Sequence, residues 1–392
     1  MKNYSAKFQA LLFIILLGFV SLFTDMTYQG ARSITGPYLA NLGASAFFIS
    51  SLYGLSELIG YGARIFTGYL ADKWNFYWIF IVVGYIATAL TLPFLGFSYS
   101  LPLVASLILI ERLGKAMRSP SRDTLLSHIG TEVGMGWRFA IQKALDRTGA
   151  MLGPLLLIFV LYFGTDYRHS FIYLLIPSIL TFVTLVILFR LFPEIKNKKS
   201  DGKVNFSAVI KSQSKPFWVC IAGASCLGMG YADFPLIAFH LDRLSYVHGA
   251  GLPTVYMLAM GLSAISTLVL GRLFDRLGVY TLIFISILSA FFPALVFLGS
   301  LPLAIVGVLI WGIGMGTNES LMKSMIGNIT SRRWRGSFYG IYNTAYGVSW
   351  FVGSVIIGLL YDFSLFFLVL FSTLSQLLAV PLFFWLKRIV SR

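Results

Sequence analysis

Twelve apolar stretches, each closed by glycine, proline or a short polar turn, run along the chain at residues 8–41, 46–71, 76–97, 101–127, 137–164, 169–192, 216–242, 251–274, 279–298, 301–329, 336–361 and 364–387. A helix that crosses the hydrocarbon of a bilayer needs roughly 20 apolar residues, and each stretch supplies that length. Backbone N–H and C=O groups find no partner in lipid, so stretches this apolar are expected as helices whose bonds close within the segment. The longest polar run, 193–215, falls between the sixth and seventh stretches and carries Lys196, Lys198, Lys199 and Lys203. The expected organisation is an all-α polytopic membrane protein with twelve transmembrane helices: a six-helix bundle over 1–192, a basic cytoplasmic linker over 193–215 and a second six-helix bundle over 216–392.

Composition sharpens this. The 392 residues are 57% hydrophobic and 11% charged, where a soluble domain carries about 25% charged residues. Soluble, disordered and collagen-like chains are thereby excluded, and two cysteines, Cys220 and Cys226, exclude a disulfide scaffold. Both cysteines are expected as small buried hydrophobes. The first stretch is too long for the core of a cleaved signal peptide. A net charge of +15 would suggest nucleic acid in a soluble protein, but its distribution points elsewhere. Lys2, Lys7, Lys73, Arg138, the linker lysines, Arg332, Arg333 and Lys387 fall on the side of the N-terminus, whereas Arg168 and Arg243 fall on the other. Lys and Arg stay on the cytoplasmic side, so both termini are expected in the cytoplasm, with the chain in the cell membrane and no nucleic-acid partner.

The two halves repeat each other. Gly68-Tyr-Leu-Ala-Asp72-Lys73 follows the second stretch, and Gly271-Arg-Leu-Phe-Asp275-Arg276-Leu-Gly278 follows the eighth. Asp25 and Arg32 stand seven apart on the first stretch, and Asp233 and His240 seven apart on the seventh. Gly114 and Asp123 on the fourth align with Gly314 and Lys323 on the tenth. With these motifs the chain resembles the major facilitator superfamily of secondary transporters over essentially its whole length. The Gly68–Lys73 and Gly271–Gly278 segments are similar to the superfamily's loop signature, the first departing from it at Asn75 and Phe76. Gly149-Ala-Met-Leu-Gly153-Pro154 resembles the fifth-helix motif of the antiporter branches. Arg112 to Asp123 resembles the fourth-helix signature of a prokaryotic subgroup without assigned substrates. The resemblance implies two pseudo-symmetric six-helix bundles around a central cavity lined by helices 1, 4, 7 and 10, with transport by rocking of the bundles.

Candidate chemistry lies in charges inside the apolar stretches. An ionised side chain facing lipid costs at least about 2.5 kcal/mol, so these groups are expected to face the interior and to be partnered. Asp25, Arg32, Arg118, Arg122, Asp123, Asp233, His240, Glu319 and Lys323 fall on the four stretches that the resemblance places around the cavity, as substrate or proton-coupling residues. Lys115, Arg118 and Arg122 form an i, i+3, i+7 stripe, and Glu319 faces Lys323 at i+4. Lys143, Asp146 and Arg147 form a polar cluster on the fifth stretch. Asp233, with no base nearby on its own stretch, is the expected proton carrier, and Glu319 the alternative. Arg118 and Arg122 either clamp an anion or are neutralised by Asp123, Asp146 and Glu319 as a lock between bundles. Gly68, Asp72, Lys73, Gly271, Asp275 and Arg276 are expected as a cytoplasmic electrostatic latch. Gly149, Gly153 and Pro154 are expected to permit close helix approach and a bend. Tyr342, Asn343, Tyr346 and Trp350 share one face of the eleventh stretch.

The expected function is secondary transport of a small molecule by alternating access, coupled to protons and directed outward as antiport. Uptake or facilitated movement of an anionic metabolite is the alternative, and a sensor or scaffold on a transporter fold the alternative of another class. No nucleotide-binding, hydrolase or metalloprotease motif occurs, so no enzyme activity, cofactor or metal is expected. The expected partners are the substrate, protons and the lipid bilayer, with the chain acting as a monomer.

Overall fold

The computed structural model describes residues 6–74, 76–128, 135–192, 215–330 and 335–390. Its first half comprises α1 (Ala6–Asn41), α2 (Ala46–Trp74), α3 (Tyr77–Phe94), α4 (Leu101–His128), α5 (Met135–Tyr162), the short α6 (Tyr167–Ser170) and α7 (Leu175–Leu191). The second half comprises α8 (Lys215–Met229), α9 (Phe234–Arg243), α10 (Gly251–Leu277), α11 (Val279–Ala290), α12 (Phe292–Phe297), α13 (Leu301–Ile329), α14 (Arg335–Phe363) and α15 (Leu365–Val390). Joined across short interruptions, they account for the twelve stretches, and the chain is an all-α, multi-pass membrane protein. Among the described residues, ten of the segments are long and apolar enough to cross a bilayer by length and composition alone. The other two, α2 and α4, are the ones bearing Glu57 and Arg64, and Glu111 through Asp123.

Three stretches read as single helices are interrupted, each at a proline. The sixth begins as α6, tightens into a 3-10 turn over Phe171–Leu174 and resumes as α7 with Pro177 in its first turn. The seventh breaks between Met229 and Phe234, so Asp233 does not lie within a continuous helix but is the residue that opens α9. Pro235 has no N–H to give to the carbonyl of Tyr231, and proline disfavours helical geometry in the residue before it. The ninth breaks at Phe291, ahead of Pro293. Its counterpart α3 likewise gives way to a 3-10 turn, Leu95–Phe97, directly after Pro93. Both halves then start the next helix with Ser-Leu-Pro-Leu, at Ser100 and Ser300. The carbonyls of these two serines accept from Val104 N–H at 3.0 Å and Ala304 N–H at 2.8 Å. Pro93 to Leu103 thus recurs in Pro293 to Leu303 as a further internal repeat.

Packing divides the chain into two compact units. The first contains Met1–Tyr38, Ala63–Asp201 and Gly249–Met257, and the second Leu39–Gly62, Gly202–His248 and Leu258–Arg392. Helices α2 and α10 therefore each contribute to both. In the first unit Ala10, Phe13, Ile14 and Leu17 recur at helical spacing on α1 and bury against Tyr77, Phe80, Ile81 and Tyr85 of α3 and Leu125 and Leu126 of α4. Helix α5 rides directly on the backbone of α1. A Cβ on Gly149 would stand 2.2 Å from the Leu22 carbonyl oxygen, and one on Gly153 2.1 Å from that of Met26. In the second unit Tyr231 is ringed by Phe292, Trp350 and Trp311, with ring centroids 5.1, 5.7 and 6.3 Å away. Gly278, at φ +56°, makes the turn between α10 and α11, a conformation that side-chain-bearing residues resist.

Candidate functional site

The chemistry of the first unit gathers on α1, α4 and α5. Arg112, Lys115, Arg118 and Arg122 succeed one another at spacings of three, three and four on α4, so they line one side of it. Arg112 and Arg118 are buried, as is Arg32 on α1. Cations there persist only if the protein replaces their lost water with dipoles, carboxylates and aromatic faces. Tyr28 supplies much of that replacement. Its phenol oxygen accepts from Arg32 Nη1 at 2.7 Å and also from Arg112 Nη2. The Arg112 guanidinium and the Lys115 ammonium lie 4.6 and 4.5 Å from its ring centroid, and the Arg32 guanidinium 5.9 Å. Such cation–π contacts contribute about 0.5–2 kcal/mol each, the more so when desolvated. Glu111 adds a carboxylate 3.7 Å from Arg112 Nε.

One turn further along α4 the carboxylates enter. Asp25 Oδ1 lies 3.9 Å from Arg118 Nη2, too far for a hydrogen bond. The Arg118 guanidinium instead stands 4.7 Å from the centroid of Tyr85 on α3. Its Nε and Nη2 are buried with no hydrogen-bond acceptor. The Tyr85 hydroxyl pairs with Ser21 Oγ at 2.7 Å, and Ser21 accepts from Arg122 Nη1 at 3.3 Å. Arg122 is held firmly: Nε and Nη2 donate to Asp123 Oδ1 at 3.1 and 3.0 Å, and Nη1 lies 3.9 Å from Asp146 Oδ2. Asp146 in turn accepts from Gln142 Nε2 at 3.0 Å and lies 3.5 Å from Lys143 Nζ. Arg147 is half-buried on the same helix. Arg122 and Asp146 bring the α4 stripe and the α5 cluster together inside one unit. Asp25 and Arg32 do not meet each other; each finds its own partner. Tyr28, Tyr85, Ser21 and Gln142 were not singled out from sequence, although Tyr28 sits three residues after Asp25 and four before Arg32, on their face of α1.

In the second unit Asp233 is 1% exposed, and its Oδ2 accepts from Trp350 Nε1 at 2.9 Å. The carbonyls left open by the helix break are taken up locally. Gly230 O accepts from Ser372 Oγ and from Gln376 Nε2, and Ala232 O from Trp311 Nε1 at 2.9 Å. The Tyr231 hydroxyl donates to Trp311 O. His240 is buried, its Nδ1 2.9 Å from the Tyr361 hydroxyl and its ring 5.0 Å from Phe297. Along α14 Tyr342 stacks on Tyr346, which meets Trp350 edge to face, and all three are buried. Lys323 is half-buried, with its carbonyl accepting from Tyr339 at 3.1 Å. The side chains of Glu319 and Asp72 lie outside the described ones. Of the remaining latch residues, Lys73, Asp275 and Arg276 are exposed, Gly271 is open to space, and Gly68 abuts Pro120. A cavity of about 490 Å³ in this unit is walled by residues 43–46, Phe239, Asp242, Arg243 and Asp362, and Phe239 packs its ring 5.7 Å from that of Tyr361. Among the described residues no group of three or more His, Cys, Asp or Glu is placed to hold a metal ion.

Comparison with known proteins fits this architecture. The Major Facilitator Superfamily model matches residues 14–354, and the chain belongs to that superfamily of membrane transporters. An uncharacterized protein of Mycobacterium tuberculosis is 32% identical over 384 residues, covering 96% of this chain and 93% of that protein. An uncharacterized MFS-type transporter of Methanocaldococcus jannaschii is 26% identical over 362 residues, covering 90% and 89%. The crystal structure of the nucleoside transporter NupG superposes with a TM-score of 0.72 at 14% identity, covering 97% of this chain and 99% of that one. At that identity the match shows a shared fold.

Proposed function

We propose that this chain is a secondary transporter that moves a small molecule by alternating access in the cell membrane, both termini in the cytoplasm, coupled to protons through Asp25. The observation that carries this is the looseness of Asp25. It is 19% exposed, and its nearest cation, Arg118, stands at 3.9 Å without a hydrogen bond. A carboxylate that exchanges protons needs water access and a partner whose hold changes with its charge. Asp233, the carrier favoured by sequence, is sealed from solvent and hydrogen-bonded to Trp350, which suits a positioning role at the start of α9. Asp146 is held by Gln142, Lys143 and Arg122 together, which suits a lock.

Export by antiport is the direction favoured by the antiporter-like Gly149–Pro154 segment. Uptake of an anionic solute with a proton is a second reading, favoured by the cations gathered around Tyr28. The test is proteoliposome transport with an internal pH indicator. Wild-type protein is expected to move protons when substrate is added, and Asp25→Asn to abolish proton movement while substrate exchange at equal pH persists. Proton flux unchanged in Asp25→Asn would overturn the coupling role. The sign of the pH change decides between antiport and symport.

A further inference from the structure

We propose that Arg118, with Lys115 and the Arg32–Tyr28–Arg112 cluster beside it, recognises the carboxylate or phosphate group of a small organic anion, and that this anion competes with Asp25 for Arg118. The proposal rests on the transport reading and gives it a substrate class.

Arg118 is the starting point. It is 2% exposed, and two of its nitrogens are buried without an acceptor. A guanidinium presents a planar fork that matches a carboxylate or phosphate, and leaving such donors unmet in a low-dielectric interior is costly. Asp25 attracts this fork at 3.9 Å but does not bond to it. Tyr85 covers one face of the guanidinium, its ring centroid 4.7 Å away, and leaves the in-plane N–H donors uncovered by that contact. Arg122, by contrast, is fully engaged with Asp123 and Ser21, so the α4 stripe contains one clamped arginine and one with donors to spare.

The surroundings match an anion rather than a neutral solute. Lys115 is one turn from Arg118 on the same helix, half-buried, with its ammonium 4.5 Å from the Tyr28 ring centroid. Arg112 and Arg32 both donate to the Tyr28 hydroxyl. Two guanidinium donors orient that phenol oxygen, and the three cations, offset by the one carboxylate of Glu111 beside Arg112, raise the local positive potential where Asp25 gives access to water. An anion seated on Arg118 and Lys115 would gain charge-assisted hydrogen bonds that Asp25 does not make, and it would displace the Asp25 carboxylate by like-charge repulsion. Removing that carboxylate should therefore tighten binding, an outcome that a purely structural role for Asp25 would not produce.

The experiment uses the full chain purified in detergent, with thermal stabilisation and calorimetry as readouts and no pH gradient. The probes are matched pairs, phenylacetate with phenylacetamide and hexanoate with hexanamide, together with phenyl phosphate. At least one anion is expected to bind ten-fold or more tightly than its neutral partner. Asp25→Asn is expected to tighten that binding about ten-fold, Lys115→Gln to weaken it about ten-fold and Arg118→Gln to abolish it. If Arg118→Gln does not fold, the half-buried positions 25 and 115 carry the test. Equal binding of charged and neutral probes across the panel, or unchanged anion affinity in Asp25→Asn, overturns the proposal. Stabilisation only by micelles containing anionic phospholipid assigns the cluster to lipid and also overturns it. Because these readouts need no proton movement, anion recognition can fail while coupling at Asp25 stands, and the reverse.

Discussion

At Asp233 the hydrogen bond from Trp350 separates two roles that sequence alone treats alike. A carboxylate on an apolar stretch looks like a proton carrier, but Trp350 Nε1 donates to it at 2.9 Å and the helix begins at the next residue. Trp350→Phe keeps an aromatic ring but removes the N–H, so Asp233 loses this bond, and the smaller side chain leaves space beside it. A loss of about 1–3 kcal/mol is expected from the lost hydrogen bond and the reduced packing together, read as a lowered Tm in detergent. Asp233→Asn keeps an acceptor for Trp350 and should leave gradient-driven accumulation in proteoliposomes within a factor of two of wild type. A collapse of accumulation in that variant would return the proton role to Asp233. Tyr28 makes the complementary point. It carries no charge at neutral pH, so no count of charged residues finds it, yet it joins Arg32, Arg112 and Lys115.

Between elements, the contact of α1 with α5 sets the position of Asp25. Gly149 and Gly153 bring the α5 backbone against Leu22 and Met26, the residues flanking Asp25 on α1. A methyl group at Gly153 would meet backbone rather than a yielding side chain, so Gly153→Ala should cost about 1–3 kcal/mol as overpacking. Transport should fall with it, because shifting α1 moves Asp25 away from Arg118. Normal Tm and normal transport in Gly153→Ala would show that the approach is not needed. The turn into α6 is capped differently. Asp166 accepts from the His169 backbone N–H at 3.1 Å and contacts the His169 ring. Burial raises its pKa, but the bonds to His169 and the charge of Arg168 outweigh this and hold it below the usual aspartate value. Its contribution is therefore complete above that usual value and is lost as pH falls through the lowered one. Asp166→Ala should cost about 1 kcal/mol at pH 7, with the difference from wild type vanishing in strong acid; a difference independent of pH would remove the charged cap from the account.

For the whole molecule, the asymmetry of loop charges is an argument about orientation that side-chain contacts do not test. With Cys220 and Cys226 replaced, a single cysteine at Lys73 or Lys387 should react with a membrane-impermeant maleimide only from the cytoplasmic face, and one at Arg168 only from the opposite face. Labelling of Lys73 and Arg168 from the same side would overturn the proposed topology. Duplication is visible at this scale too, in the proline-directed ends of α3 and α11–α12 and in the paired Ser-Leu-Pro-Leu starts of α4 and α13.

Apolar run lengths determined by themselves that the chain is helical and spans a membrane, because an unbonded backbone cannot exist in hydrocarbon. Loop signatures such as Gly271–Gly278 carried the family, since they fix turns at set places along the chain. Which buried charges pair was decided by tertiary structure. Asp25 faces Arg118 across from another helix, and Arg122 turns to Asp123, Ser21 and Asp146. One-dimensional spacing gives the face of a helix but not the neighbour that packs against it. The electrostatic state of a group in a low-dielectric interior depends on that neighbour at distances of a few ångströms.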